Sequence, residues 1–177
     1  MVIDGLMVPR PGIGGGPVRS PLDPSTGVYT QSSVYPSTND AATTAAMISP
    51  TVISTRQTAT NSGGFQWLQV DYGEVRPMDV VRVRTPNNEL EGGWGTYTYV
   101  NGCIVEISDD GVEWEWIAIL HQGVFQFSST QNVLAVILQA GQFVDVPLPP
   151  NTQARYVRLS NPNNGYVAVT GFYAATR

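Results

Sequence analysis

Apolar and polar positions alternate along most of this chain, in short runs broken by turn residues. In residues 80–85, VVRVRT, Arg82 and Arg84 face one way and Val81, Val83 and Thr85 the other, the period-2 signature of a half-buried strand. Runs at 67–72, 103–108, 114–120, 143–148, 156–160 and 167–173 bring the expected set to seven or eight antiparallel strands. Strands of this length, spaced by turn signals, build a sandwich or barrel. In 108–114, SDDGVEW, Asp110-Gly111 lies between two strand runs and predicts a hairpin turn. Residues 37–47, STNDAATTAAM, are the one candidate helix, short and threonine-rich, with Ser37, Thr38 or Asn39 as its cap. Nothing repeats at a fixed period, which excludes solenoids and propellers.

The N-terminal stretch departs from this pattern. Residues 1–28 carry prolines at 9, 11, 17, 21 and 24 and five glycines before Pro17, a composition that makes neither a continuous helix nor a central strand. An extended arm over 1–28 and one folded domain over 29–177 are therefore expected. Such an arm is ordered by packing on something else, and a neighbouring subunit would serve. A chain of 177 residues holds one sizeable core, and 18 glycines, 13 prolines and 13% charged residues fit an all-β domain rich in turns.

The formal charge of −5 argues against sequence-independent nucleic-acid binding, which needs cations to displace counterions from phosphate. Neutral ligands and other proteins remain as partners. All nine basic residues are arginine, which genomic base composition accounts for. Cys103 is the single cysteine, so neither an internal disulfide nor a cysteine zinc cluster is expected. The first residues, MVIDGLMVPRPGIGGG, lack the basic and apolar regions of a signal peptide. No apolar run approaches the ~20 residues of a membrane span, so neither cleavage nor membrane anchoring is expected.

No catalytic constellation assembles. His121 is the sole histidine, which removes the common zinc and serine-triad arrangements. Glu113 and Glu115 share one face of a strand and read as a solvated edge, since glycosidase carboxylates must flank a bond across a cleft. GIGGGP at 12–17 follows no strand and lacks the Lys-Ser/Thr of a phosphate loop. A non-enzymatic protein is expected.

Four segments then stand in a telling order: QWLQVDYGEV (66–75), VVRVRTPNN (80–88), CIVEISDDGVEW (103–114) and ARYVRLSNPNNG (154–165). With SSVYPSTNDAATTAAM ahead of them as a diverged opening segment, they resemble the discoidin, or coagulation factor C-type, domain of the galactose-binding-like superfamily, over about residues 29–177. The resemblance implies a jellyroll-like antiparallel β-sandwich of about eight strands whose loops at one end bind sugars, lipid headgroups or proteins. It makes Trp67, Leu68 and Val70 core residues, and Trp114 likewise. Asp71, a carboxylate inside a strand, needs a cation or donors if buried, and Arg155 or Arg158 is the expected partner. Sugar-binding members of the superfamily often carry a structural calcium. The matching places here, 47–50 and 167–174, hold no carboxylate, and no acidic residue follows Asp145, so neither this metal nor any cofactor is expected.

The resemblance places a ligand-contacting spike in 86–102, PNNELEGGWGTYTYVNG, which offers Asn87, Asn88, Trp94, Tyr97 and Tyr99. Aromatic rings that stack on sugars, beside amides that read hydroxyls, suit carbohydrate, and the same residues suit a protein interface. The family's usual arginine in this loop is missing. Asn61 of 58–65, with Asn163 and Asn164 of 161–165, would complete the rim, although turn chemistry alone also accounts for them. Residues 121–142 insert the apolar run 133–138, VLAVIL, where the family has a short connection, and its burial is expected in this core or against another chain. The reading that follows is a non-catalytic binding or adhesion module recognising a glycan, displayed on a virion or another extracellular surface within an oligomer or larger assembly such as a phage particle. Its competitor is a structural decoration subunit whose arm (1–28) and insert (121–142) clasp neighbours.

Overall fold

The structure is a computed structural model, and the residues it describes are 21–34, 58–60, 63–85, 100–122, 134–138 and 141–176. Eleven strands run through them: β1 (Val28–Gln31), β2 (Thr58–Ala59), β3 (Gln66–Pro77), β4 (Val80–Arg84), β5 (Ile104–Ser108), β6 (Glu115–Gln122), β7 (Leu134–Leu138), β8 (Phe143–Pro147), β9 (Gln153–Asn161), β10 (Ala168–Val169) and β11 (Gly171–Ala175). They form a six-stranded sheet in the order β1-β3-β9-β5-β6-β7, a three-stranded sheet β11-β4-β8, and the short pair β10-β2. The expected all-β sandwich is the fold. Its strand pairs are antiparallel except β6 with β7, which run parallel, a pairing no tight hairpin can make.

The core lies between the two larger sheets. Along β3, Leu68, Val70 and Tyr72 are buried while Trp67, Gln69 and Asp71 on the other face are half-buried. The inward residues join Val105 and Ile107 of β5 and Val157 and Leu159 of β9, with Val81 and Val83 of β4 and Phe172 and Ala174 of β11 completing the cluster. Burying each such side chain contributes about 1.5–3 kcal/mol. Two tyrosine hydroxyls bridge the sheets. Tyr29 donates to the Phe172 carbonyl (2.8 Å), and the Ala174 N–H donates to Tyr72 (2.7 Å).

The strand period corrects the placement of two tryptophans. Trp67 cannot share the inner face with its neighbour Leu68, because successive side chains on a strand point to opposite faces. It lies half-buried on the outward face. Trp114 sits ahead of β6 in the β5–β6 connection and is half-buried there, outside the core. The Asp-Gly turn is present. Asp110 Oδ1 accepts the N–H groups of Val112 (2.8 Å) and Glu113 (3.0 Å), and Gly111 takes the left-handed conformation (φ 79°) that glycine favours.

Other expectations shift at their edges. The run 167–173 splits at Thr170, whose N–H donates to the Arg84 carbonyl (2.9 Å), so β10 pairs with β2 and β11 with β4. Strand β1 carries little strand signal in the sequence, with Tyr29 as its one large inward side chain. Leu22 lies in the core cluster and Val28 pairs with Asp71, so these residues of the 1–28 stretch pack on the domain. In the insert, Val136 reaches the core, whereas Leu134 and Ile137 are 43% and 54% exposed; at the sheet edge the run is not buried as a whole. The 37–47 helix lies outside the described residues.

Thr85 gives a stability test. It is 1% exposed just after β4, and among the described residues its Oγ1 has no hydrogen-bond partner. Thr85→Val keeps the shape and removes a hydroxyl desolvated without compensation, so urea unfolding should show a gain of about 1 kcal/mol.

Candidate ligand-binding site

Strand register brings the candidate loops to one end. β3 starts where β9 finishes (Gln66 opposite Asn161), β5 starts beside them (Ile104 opposite Ser160), and β4 ends at Arg84 opposite Gly171 and Phe143. The connections before β3, after β4, before β8 and after β9 therefore all open at this end.

A set of amide hydrogen bonds holds the described parts of these loops. Asn161 is 4% exposed; its Oδ1 accepts the Asn163 N–H (3.0 Å) and its Nδ2 donates to the Tyr166 carbonyl (2.9 Å). Gly165 permits this clamp, since a Cβ there would lie 2.6 Å from Asn161 Nδ2. Asn164 adopts φ 57°, which asparagine tolerates, and its carbonyl accepts the Gly63 N–H (3.0 Å). Thr60 binds Val167 twice, N–H to carbonyl (3.0 Å) and Oγ1 from N–H (2.9 Å). Gln66 Oε1 accepts from Ser32 Oγ (2.8 Å) and Ser33 Oγ (2.7 Å), while its Nε2 donates to the Gly63 carbonyl. Gly102 abuts the same cluster, for a Cβ on it would come within 3.3 Å of Asn163 Nδ2.

Of the residues expected to bind ligand, Asn163 and Asn164 are exposed at this rim. Asn61, Asn87, Asn88, Trp94, Tyr97 and Tyr99 lie outside the described residues; the chain leaves this end at Thr85 and is next described at Val100, both buried. Among the described residues the rim exposes amides, with Phe65 beside them, and no charged side chain. His121 is buried and its pKa is lowered by that burial. Glu113 and Glu115 are exposed at the opposite end of β6. Among the described residues no three His, Cys, Asp or Glu side chains gather as metal ligands.

Asp71 finds the partner expected of it. Arg155 forks onto it, Nε to Oδ1 at 2.7 Å and Nη2 to Oδ2 at 2.8 Å, while Arg158 goes elsewhere. The Arg155 hydrogen bonds, assisted by the Gly73 N–H, hold the Asp71 carboxyl below the usual carboxylate range. Such a group contributes stability that is complete above the unfolded-state pKa, about 3.9, and is lost as pH falls through the lower folded value. Wild-type stability should consequently fall more steeply with acid below about pH 5 than that of Asp71→Asn, as urea midpoints across that range would show.

Sequence reasoning missed a second grouping, on the outward face of the six-stranded sheet. Arg158 forks onto Glu106 (Nε to Oε2 2.8 Å, Nη2 to Oε1 3.1 Å), and Glu106's side chain is only 4% exposed. The Arg158 guanidinium lies 3.8 Å from the centre of the Trp114 ring and 5.3 Å from that of Phe65. Trp114 meets Tyr156 at 6.3 Å, Arg155 stacks on Tyr156 at 4.7 Å, and the Trp114 indole N–H donates to the Gly111 carbonyl (3.1 Å). The available signal was a charge interrupting an apolar run in each strand, Glu106 in IVEIS of β5 and Arg158 in VRLS of β9.

This architecture is shared with known proteins. A lectin, the F-lectin (fucolectin) of striped bass (Morone saxatilis) serum, superposes with a TM-score of 0.63 at 17% identity over 89% of this chain; this chain covers 49% of that one, about half its length. CpGH89CBM32-5 from Clostridium perfringens, solved with GalNAc-β-1,3-galactose, gives 0.58 at 13% identity, with 89% of this chain and 100% of that chain covered. A mutant of the lectin binding domain of lectinolysin, complexed with Lewis b, gives 0.59 at 17% identity, with 88% and 97% covered. At these identities the likeness is one of fold. The sequence model of the F5/8 type C domain matches residues 29–172, from β1 through the start of β11, and on that match the chain belongs to the F5/8 type C domain family.

Proposed function

We propose that this chain is a non-catalytic carbohydrate-binding module whose ligand seats on the loop end built around Asn161. The observation that carries the reading is the rim itself, uncharged among its described residues and fixed by the Asn161, Gln66 and Thr60 hydrogen bonds. Exposed amides on a loop whose backbone is held by buried neighbours suit the hydroxyls of a neutral sugar and cost little ordering on binding. The sugars held by two of the similar structures, GalNAc-β-1,3-galactose and Lewis b, support it. Trp94, Tyr97 and Tyr99 supply stacking surfaces in this reading, and Asn61, Asn87 and Asn88 further amides. No calcium or other cofactor takes part. On a glycan array the protein should bind glycans ending in galactose or fucose, with Trp94→Ala and Asn163→Ala each weakened at least tenfold. Failure of the wild-type protein to bind any glycan would overturn the reading.

A second reading, a structural subunit of a virion or another extracellular assembly, is supported by the exposed Leu134 and Ile137. Here the 121–142 insert and the arm over residues 1–28 grip neighbouring copies. Light-scattering mass should then rise with concentration, and Ile137→Lys should return it to the monomer value. A monomer at every concentration would reject this reading and leave the first standing.

A further inference from the structure

One residue from each of four neighbouring strands lies in register across the outward face. Gln69 of β3 is opposite Arg158 of β9, Arg158 is opposite Glu106 of β5, and Glu106 is opposite Trp116 of β6. Three interstrand spacings make this row ~14 Å long, enough for a short run of linked sugar rings. Its four members lie along the strands, away from the rim at the strand ends, and Phe65 reaches over from the connection before β3.

The row has an electrical character that narrows its partner. Its one cation and one anion are closed on each other by two hydrogen bonds, so it carries no net charge. Nothing in it would draw a polyanion or an anionic lipid surface. Its apolar surface is aromatic: Trp116 is 46% exposed and Phe65, stacked beside Arg158, is 51% exposed. Among the described residues no hydrogen bond engages Arg158 Nη1, the Trp116 indole N–H or the Gln69 amide, so donors stand beside the rings. The Glu106 fork and the Trp114 ring fix Arg158 in place before any ligand arrives. Flat apolar rings interleaved with fixed donors, without net charge, match the alternating apolar faces and hydroxyls of a sugar chain.

We propose that the row Gln69–Arg158–Glu106–Trp116 is a second carbohydrate-binding track, which takes a neutral linear polysaccharide laid across the strands. Trp116 stacks on a ring, and Arg158 Nη1 and Gln69 donate to hydroxyls. This rests on the carbohydrate reading but uses residues that reading does not.

Native electrophoresis of the full chain through gels containing mixed-linkage β-glucan or glucomannan, neutral linear polysaccharides without galactose or fucose, tests it. The wild-type protein should be retarded, Trp116→Ala and Gln69→Ala should each weaken retardation at least fivefold, and Trp94→Ala, the variant that tests the carbohydrate reading above, should remain retarded. Equal urea midpoints would establish that the two face variants are folded, as expected for substitutions of an exposed and a half-buried side chain. Retardation that persists in both face variants, or that vanishes with Trp94→Ala alone, overturns the track. So does a wild type retarded by neither polysaccharide, an outcome that leaves binding of terminal sugars on the array untouched.

Discussion

Glu106→Ala destabilises the folded chain by about 3–5 kcal/mol, a large fraction of the whole stability of a single domain. The expectation follows from what remains after the substitution. Arg158, whose side chain is 15% exposed between Trp114 and Phe65, loses both oxygens that accept its Nε and Nη2 hydrogens. A guanidinium does not neutralise itself at any working pH, so its charge stays uncompensated or its side chain abandons the stack. Either course dismantles contacts among β5, β9 and the turn that carries Trp114. The double variant Glu106→Leu with Arg158→Met should recover most of the loss, because the pair itself contributes little once its desolvation is counted. Urea unfolding followed by far-ultraviolet circular dichroism measures both, and the single variant should melt roughly 10 °C lower. A loss below 1 kcal/mol for Glu106→Ala would mean that the pair is exchanging freely with water.

The same pair shows where sequence reading stops. Period-2 alternation separates the two faces of β4 and follows from covalent geometry alone, so a sandwich was legible in the sequence, whereas on β3 Trp67 and Leu68 were both placed in the core although neighbours on a strand face opposite ways. Asp71 could be matched to Arg155 or Arg158 because a carboxylate buried in a strand needs a cation, and the structure selects Arg155. Arg158 and Glu106, in contrast, meet only because β5 and β9 are hydrogen-bonded in one particular register, 52 residues apart in the chain. Nothing local to either segment encodes that offset. The family resemblance assigned Trp114 to the core, but its position in the turn before β6 lets it fold back over Arg158 instead.

The loop end was partly legible for a related reason. Asn163 and Asn164 could be named because exposed Asn-Asn-Gly segments are turn formers, whichever function they serve. The residue that positions them, Asn161, carries no such mark: its role comes from burial and from two backbone partners within its own loop. Gln66 is similar, since its value lies in joining Ser32 and Ser33 to Gly63. Sequence thus indicates the groups that could touch a ligand more readily than those that hold them still. Affinity depends on both, because a rim ordered in advance does not have to be ordered by the sugar.

Adjacent positions on β3 provide the sharpest check on the register that underlies both surfaces. Leu68→Ala should cost about 2–5 kcal/mol, since Leu68 is fully buried in the cluster between the sheets and its removal leaves a cavity the core cannot fully close. Trp67→Ala removes a larger side chain yet should cost less than half as much. Its ring lies half-buried on the outward face, where water replaces it, and its backbone N–H keeps its bond to Ser32 Oγ (3.0 Å). If β3 were displaced by a single residue, every inward side chain would turn outward and the two costs would exchange places. Equilibrium unfolding in urea of the two variants therefore measures the register directly. A larger loss for Trp67→Ala than for Leu68→Ala would remove the outward row of Gln69, Arg158, Glu106 and Trp116 together with the rim geometry that begins at Gln66.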